Sequence, residues 1–355
     1  MIRAAEFFSG IGILAAYEPG FLKEKTAYRL LEVNAAPAVA DVYSVIKRKG
    51  VPTVLSYGLD EIILLYKAVQ AVMRMKSSSL ILVGNTEDWV ISSCRSFDRI
   101  REKTGVRCQG IKLQELYDVY ESVSDEDAKE IYEKWLKYCQ EIVEPNDQDI
   151  RTASRLAFAI QKLLQDYEAD GLAIACFTLH KELGTTSCLA LSMLNDSENF
   201  IGACEGDMDA AVTLLMMKAL TDTPSWMANP MLEKGNVLKL AHCSAPLLLA
   251  GNSSAYTLRS HHESGIGVSP QVRLPEGMQV TITRVGNDLS SISLNVGTTT
   301  ETIYTPTCRT QLRVELQSMT DFVEHMLGCH QVVTYGNHAK LVSQAAKLLG
   351  LEILG

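Results

Sequence analysis

The sequence predicts a mixed α/β protein: Rossmann-like N-terminal and central domains with parallel sheets, followed by a C-terminal domain of antiparallel β-barrel type with flanking helices. Three observations carry this. Leu80-Ile81-Leu82-Val83-Gly84 is a wholly apolar run closed by glycine, as expected of a strand buried on both faces of a parallel sheet. Strand and helix patterns then alternate at βαβ spacing. Beyond Pro230 the helical periodicity gives way to short β segments separated by Gly, Asn, Asp and Thr clusters, notably Gly286-Asn287-Asp288. The expected domains are 1–77, a short α/β unit; 78–225, the central α/β domain; and 226–355, the β-rich domain.

In chain order, residues 35–49 read as a helix with Pro37 in its first turn, Lys and Arg in its last and Gly50 closing it. A strand follows at 51–55, a helix at about 60–75, and the polar break Ser77-Ser78-Ser79. After the Leu80 strand, 89–103 reads as a helix, 106–111 as a strand and 115–141 as one or two exposed helices. The acidic positions Asp118, Glu121, Asp125, Glu126 and Asp127 form a solvated face there. Apolar residues recur at helical spacing over 149–168, and 171–176 is another buried strand. The later β segments are 237–241, 279–285, 291–296, 302–304 and 309–316. A strand at 332–336 and a helix at 339–349 return the chain to α/β character.

Composition narrows the function. A net charge of −9 lacks the clustered Lys and Arg that neutralise phosphates, so no nucleic-acid partner is expected and a small-molecule substrate fits better. Nine cysteines are scattered singly without a CxxC pair, which suggests reduced cytosolic thiols, not a disulfide framework or zinc ribbon. Residues 1–16 hold an apolar run after Arg3, but Glu6, two glycines and the lack of a small-residue cleavage site weigh against a signal peptide. No run reaches the roughly 18 apolar residues of a membrane span. The expectation is a cytoplasmic protein. Gly10-Ile11-Gly12 lacks the third glycine and preceding strand of a dinucleotide fingerprint.

The chemistry gathers around Cys204-Glu205-Gly206-Asp207-Met208-Asp209, between a short apolar segment and a helix without Gly or Pro. Carboxylates crowded at a strand-to-helix turn require a cation, hydrogen bonds or solvent, and such turns line the ligand crevice of open α/β sheets. The alternative is that Asp207 and Asp209 simply favour the first helical turn. Lys181-Glu182, Ala241-His242-Cys243 and Gly328-Cys329-His330 offer further metal-compatible side chains. Two or three carboxylates with one or two imidazoles suit a borderline divalent cation such as Mn²⁺.

The order CEGD, helix, Asn229-Pro230, Leu240-Ala241-His242-Cys243, Arg259-Ser260-His261, Gly328-Cys329-His330 and Tyr335-Gly336-Asn337-His338 resembles the L-fucose isomerase / L-arabinose isomerase superfamily, from about residue 170 to the end. That resemblance implies Mn²⁺, or another divalent cation, binding an open-chain sugar while acidic residues move a proton between C1 and C2 through a cis-enediol. Its fucose branch implies Glu182 and Asp207 as metal carboxylates and His330 as the imidazole ligand, the set favoured here; the arabinose branch implies Glu205, His242 and His330. Glu182, Asp207 and Glu205 are thus the candidate catalytic acids. Arg259, His261 and His262 are candidates for holding sugar hydroxyls, with a solvated polar loop as the alternative. Asn229, also placed at the substrate, stands where the arabinose branch carries a second Glu. The resemblance further implies a homo-oligomer, a trimer or hexamer, with active sites at subunit interfaces. The sugar is open: a pentose, a 6-deoxyhexose or a sulfonated hexose.

Overall fold

The structure, a computed structural model, describes residues 11–14, 36–49, 53–56, 59–251 and 254–355. The readings of residues 1–10, of Gly50 and of the start of the 51–55 strand lie outside the described residues. The chain divides into two compact units, 1–69 and 70–355. In the first, β1 (Ile11–Leu14) pairs in parallel with β2 (Thr53–Ser56), and α1 (Ala36–Arg48) lies between them in sequence. Lys47 and Arg48 complement the carbonyl end of α1. Helix α2 (Leu59–Ser77) carries the boundary between the units.

The second unit begins with β3 (Ser79–Val83), α3 (Phe97–Thr104), β4 (Arg107–Ile111), α4 (Leu113–Ser122), α5 (Lys129–Lys137), β5 (Cys139–Ile142) and α6 (Asp147–Asp166). It continues through β6 (Gly171–Ile174), α7 (Cys176–Leu183), α8 (Cys188–Asp196), β7 (Ile201–Ala203) and α9 (Met208–Thr221). Four of these strands form a parallel sheet in the order β4-β3-β6-β7. The chain moves outward from β3 to β4, then returns past β3 to β6. That reversal opens a crevice at the carboxyl ends of the strands, where open α/β sheets bind ligands.

The remaining strands are β8 (Trp226–Leu232), β9 (Val237–His242), β10 (Tyr256–Arg259), β11 (Ser269–Val272), β12 (Gln279–Gly286), β13 (Ser291–Thr300) and β14 (Thr310–Leu316). After them come α10 (Met319–Glu324), β15 (Gln331–Tyr335), α11 (Ala339–Leu349) and β16 (Glu352–Leu354). Antiparallel pairing runs β12-β15-β8-β9-β14-β13, and β12 pairs with β13 as well, so the six strands close on themselves and leave no free edge within the ring. β16 adds in parallel to β13. A separate small sheet joins β5 in parallel to β10, which pairs antiparallel with β11.

Helix α9 is apolar all round because it is covered on both sides, by β7 and by β12 and β15. Its Thr213 hydroxyl accepts from the Val285 amide of β12 at 3.0 Å. The mixed α/β class, with parallel sheets before an antiparallel barrel, is what the sequence predicts. Elements read from the sequence differ in three places. The end of the 115–141 stretch is no helix: α5 stops at Lys137 and Cys139–Ile142 forms β5, paired in parallel with β10. The 89–103 helix starts only at Phe97, because the Ser96 hydroxyl accepts from the Arg99 amide and sets the helix start there. Residues 302–304 form no strand: β13 runs on to Thr300, opposite Arg313, and the chain then leaves the sheet. Among the described residues, no helix is long and apolar enough to cross a membrane.

Candidate metal centre and cleft

β7 ends in the turn Cys204 to Asp207, whose backbone is tied down on three sides. The Gly206 amide donates to the Ile174 carbonyl (2.8 Å), the Thr86 hydroxyl donates to the Gly206 carbonyl (2.9 Å) and the Glu87 amide to the Glu205 carbonyl (3.0 Å). Glu205 and Gly206 both adopt left-handed φ, +57° and +62°. A Cβ on Gly206 would stand 2.6 Å from the Thr86 Cα and 2.7 Å from the Asn85 carbonyl oxygen, both backbone atoms. Gly206→Ala should therefore cost about 1–3 kcal/mol or more. A denaturation midpoint equal to that of the parent would contradict the close approach.

The turn aims its two carboxylates differently. Asp207 is fully buried and its oxygens are already engaged: it accepts from the Ala210 amide (3.0 Å) as the cap of α9, from Arg284 Nη1 (2.8 Å) and Nη2 (3.0 Å), and shares a hydrogen bond with His330 Nδ1 (2.8 Å). Burial pushes this carboxyl up, but the Arg284 guanidinium and His330 outweigh it and hold the group well below the usual carboxylate range. Glu205 turns toward the other edge of the same imidazole, with Oε1 3.3 Å from His330 Nε2, while Trp89 Nε1 donates to Oε2. Burial pushes the Glu205 carboxyl up, and His330, His242 and Trp89 bring it below its ordinary value.

His242, at the end of β9, completes the group. Its Nδ1 meets the Ser244 hydroxyl at 2.8 Å, and burial, reinforced by His330, pushes the imidazole down to about 4. Burial also pushes His330 down, but its bonds to Asp207, Cys329 and Glu205 carry it well above its ordinary value, so a cation bound here would displace the His330 proton. One ligand atom each from Glu205, His242 and His330 lies within 4.8 Å of the others, and all three residues are buried. An ion held at about 2.0–2.2 Å needs donor atoms converging at this scale, and a carboxylate with two imidazoles suits a borderline divalent cation. Asp207 then stands behind His330, as a carboxylate that fixes the tautomer and orientation of a ligating imidazole. The residues present thus fit a divalent cation. Asp207, Cys329 and His330 also cluster, but the Asp207 oxygens are committed to Arg284 and the helix cap.

The group opens on a cleft between the ends of β6 and β7, the barrel strands β8 and β9, and the 260–264 loop. Asn229, His242 and His261 line it. His261 is braced at both ring nitrogens, by Glu263 (2.9 Å from Nε2) and the Ser264 hydroxyl (2.9 Å from Nδ1). Burial pushes His261 down, but its bond to Glu263 carries it above its ordinary value, and that bond pulls Glu263 down to about 2. Phe177 and His180 add an aromatic wall, with Phe177 edge-on to Trp89 at 5.0 Å.

The remaining sequence candidates stand elsewhere. Glu182 lies exposed on α7, where the Tyr117 hydroxyl donates to it, and does not line the cleft. Arg259 forks onto Glu144 and donates to the Gln271 side chain (2.9 Å), holding β10 to the segment after β5. His262 is half-buried and also outside the cleft wall. The hydrogen bond from Arg259 holds Glu144 at about 2, below the ordinary 4.3 or so. The unfolded chain takes up that proton first, so the stability this pair contributes is present above about pH 4.3 and is lost as pH falls toward 2. Glu144→Gln should flatten that part of the curve of urea midpoint against pH; an unchanged slope would show that the pair contributes nothing.

Sequence reasoning missed Arg284, Glu263, Trp89 and Glu87, whose carboxylate accepts from the Phe177 and Thr178 amides (3.1 Å each) at the start of α7. Only Arg284 had a signal: a lone guanidinium in the otherwise uncharged strand QVTITRVG implies a buried counter-ion.

No family model matches the chain. It is similar to the sulfoquinovose isomerases of Priestia aryabhattai and of Priestia megaterium (strain ATCC 12872 / QMB1551), each 24% identical over 219 residues that cover 58% of this chain and 48% of the relative. The chain spans about half the length of the curated relatives it matches. Over that stretch, what it is similar to is an enzyme named as a sugar isomerase.

Proposed function

We propose that the chain is a divalent-cation-dependent aldose–ketose isomerase that moves a proton between C1 and C2 of an open-chain sugar through a cis-enediol. The observation that carries this reading is the buried convergence of Glu205, His242 and His330 on the wall of an open cleft. Similarity to two proteins named sulfoquinovose isomerase supports the reaction class. Bound there, Mn²⁺ or another divalent cation would supply Lewis-acid polarisation of the sugar oxygens.

The chain's own residues do the rest. Abstraction of a proton beside a carbonyl needs a base within reach, and Glu205 and Glu263 are the carboxylates that line the cleft. With Asn229 unable to accept a proton at neutral pH, Glu263, paired with His261, is the second carboxylate in this reading. Asp207 keeps His330 in one orientation, and the Trp89–Phe177 pair offers an apolar face for the C–H side of a sugar. No Lys or Arg lines the cleft among the described residues, so an uncharged pentose or 6-deoxyhexose suits it better than a sulfonated hexose. The same reading carries a homo-oligomer with sites at subunit interfaces, which light scattering checks.

Asn229 favours one second reading, a sugar- or metal-binding homologue without turnover. The two part in one experiment: Mn²⁺-loaded protein is incubated in D₂O with pentoses, 6-deoxyhexoses and sulfoquinovose, and deuterium at C1 and C2 is followed by NMR. Isomerisation with incorporation supports the enzyme. Confirmed metal occupancy without incorporation on any sugar supports the binding homologue, and absence of metal binding removes the enzyme and leaves only a metal-free sugar binder.

A further inference from the structure

Five cysteines, Cys176, Cys188, Cys204, Cys243 and Cys308, line the same cleft. Cys176 begins α7 just after β6, and Cys204 directly follows β7. β6 and β7 are adjacent parallel strands with Ala173 opposite Ala203. The two sulfurs are 2.8 Å apart, with the Cys204 thiol donating to Cys176, and both cysteines are free thiols. Closing to the roughly 2.05 Å of a disulfide shortens that distance by about 0.75 Å. Both side chains are otherwise buried, 8% and 5% exposed, so the cleft they line is the route by which a small reagent reaches them.

We propose that Cys176 and Cys204 are a redox modification site, oxidised to an intramolecular disulfide by low-molecular-weight disulfides that enter the cleft. The Cys176 sulfur, which accepts the hydrogen bond, loses its proton and attacks one sulfur of the reagent, expelling one thiolate and leaving a mixed disulfide. Cys204 then loses its proton and attacks the Cys176 sulfur, expelling the second thiolate. The pair gives up two electrons and two protons, and the reagent leaves as two thiols. The bond ties the first residue of α7 to the residue preceding Glu205, so it grips the turn that carries the candidate metal carboxylate. Cys188, Cys243 and Cys308 pack together with Ala241.

The native protein is treated with oxidised glutathione, alkylated before unfolding, digested and mapped by mass spectrometry. The expected product is a peptide pair joined between Cys176 and Cys204, two hydrogens lighter than the reduced pair and reversed by dithiothreitol. Cys176→Ser and Cys204→Ser should each lose it, and Cys243→Ser should keep it. Exposed Cys329 is the internal control for reagent activity. The proposal is overturned if Cys329 becomes fully glutathionylated in the wild-type protein while Cys176 and Cys204 stay free, or if the bond formed joins Cys243 to Cys308.

Discussion

Arg284→Met is expected to lower stability by about 3–5 kcal/mol, the usual cost of leaving one member of a buried ion pair without its partner. Arg284 and Asp207 both have fully buried side chains. The guanidinium meets both carboxylate oxygens, at 2.8 and 3.0 Å, and also donates to the His330 carbonyl at 2.9 Å. Removing it leaves the buried carboxylate between α9 and the barrel with only the Ala210 amide and the His330 ring as partners. The measurement is the urea midpoint at constant slope. Adding Asp207→Asn should recover part of the loss, because the double variant buries no uncompensated charge. A single-variant loss under about 1 kcal/mol, or a double variant whose loss is the sum of the two, would mean that the fork does not hold this junction together.

The second large effect separates ligand from support. Glu205→Gln and His330→Ala should each abolish measurable Mn²⁺ binding in titration calorimetry. Asp207→Asn, measured on folded protein, should weaken it by about 10–100-fold, the range for a group that orients a ligating imidazole. The reverse order, with Asp207→Asn abolishing binding and Glu205→Gln leaving it intact, would exchange the two carboxylates' roles. The geometry behind this is plain: Asp207 has its oxygens committed to three donors and the His330 ring, whereas Glu205 faces His330 and His242 across the space that three ligand atoms share.

The strand-to-helix turn at 204–207 was legible because everything that makes it is local: an apolar run, a glycine and a helix without breakers. The direction of its side chains was not, because it depends on Arg284, which stands 77 residues further on. Glu182 shows the opposite failure. It lies near the right strand in sequence, but six residues beyond Cys176 on a helix turns a side chain by about 240°, so with Cys176 facing the cleft Glu182 points away from it. Glu263 looked like one polar residue in a polar loop, and only its contact with His261 distinguishes it. The barrel was legible as alternating β segments, whereas β8, β10 and β11 were hidden by Pro230 and by short length.

The small sheet built from β5, β10 and β11 bears on how the polypeptide can be assembled. Its partners Cys139 and Tyr256 are more than a hundred residues apart, and the Tyr256 hydroxyl reaches back to the Trp135 carbonyl at 2.6 Å. Loop closure of that span has to be completed before the pairing is rewarded, which makes it a late, slow event compared with the neighbouring hairpins. A chain cut between residues 225 and 226 would leave β10 with an unpaired edge on one fragment and β5 without its template on the other. The two halves would then find stability mainly by recombining with each other.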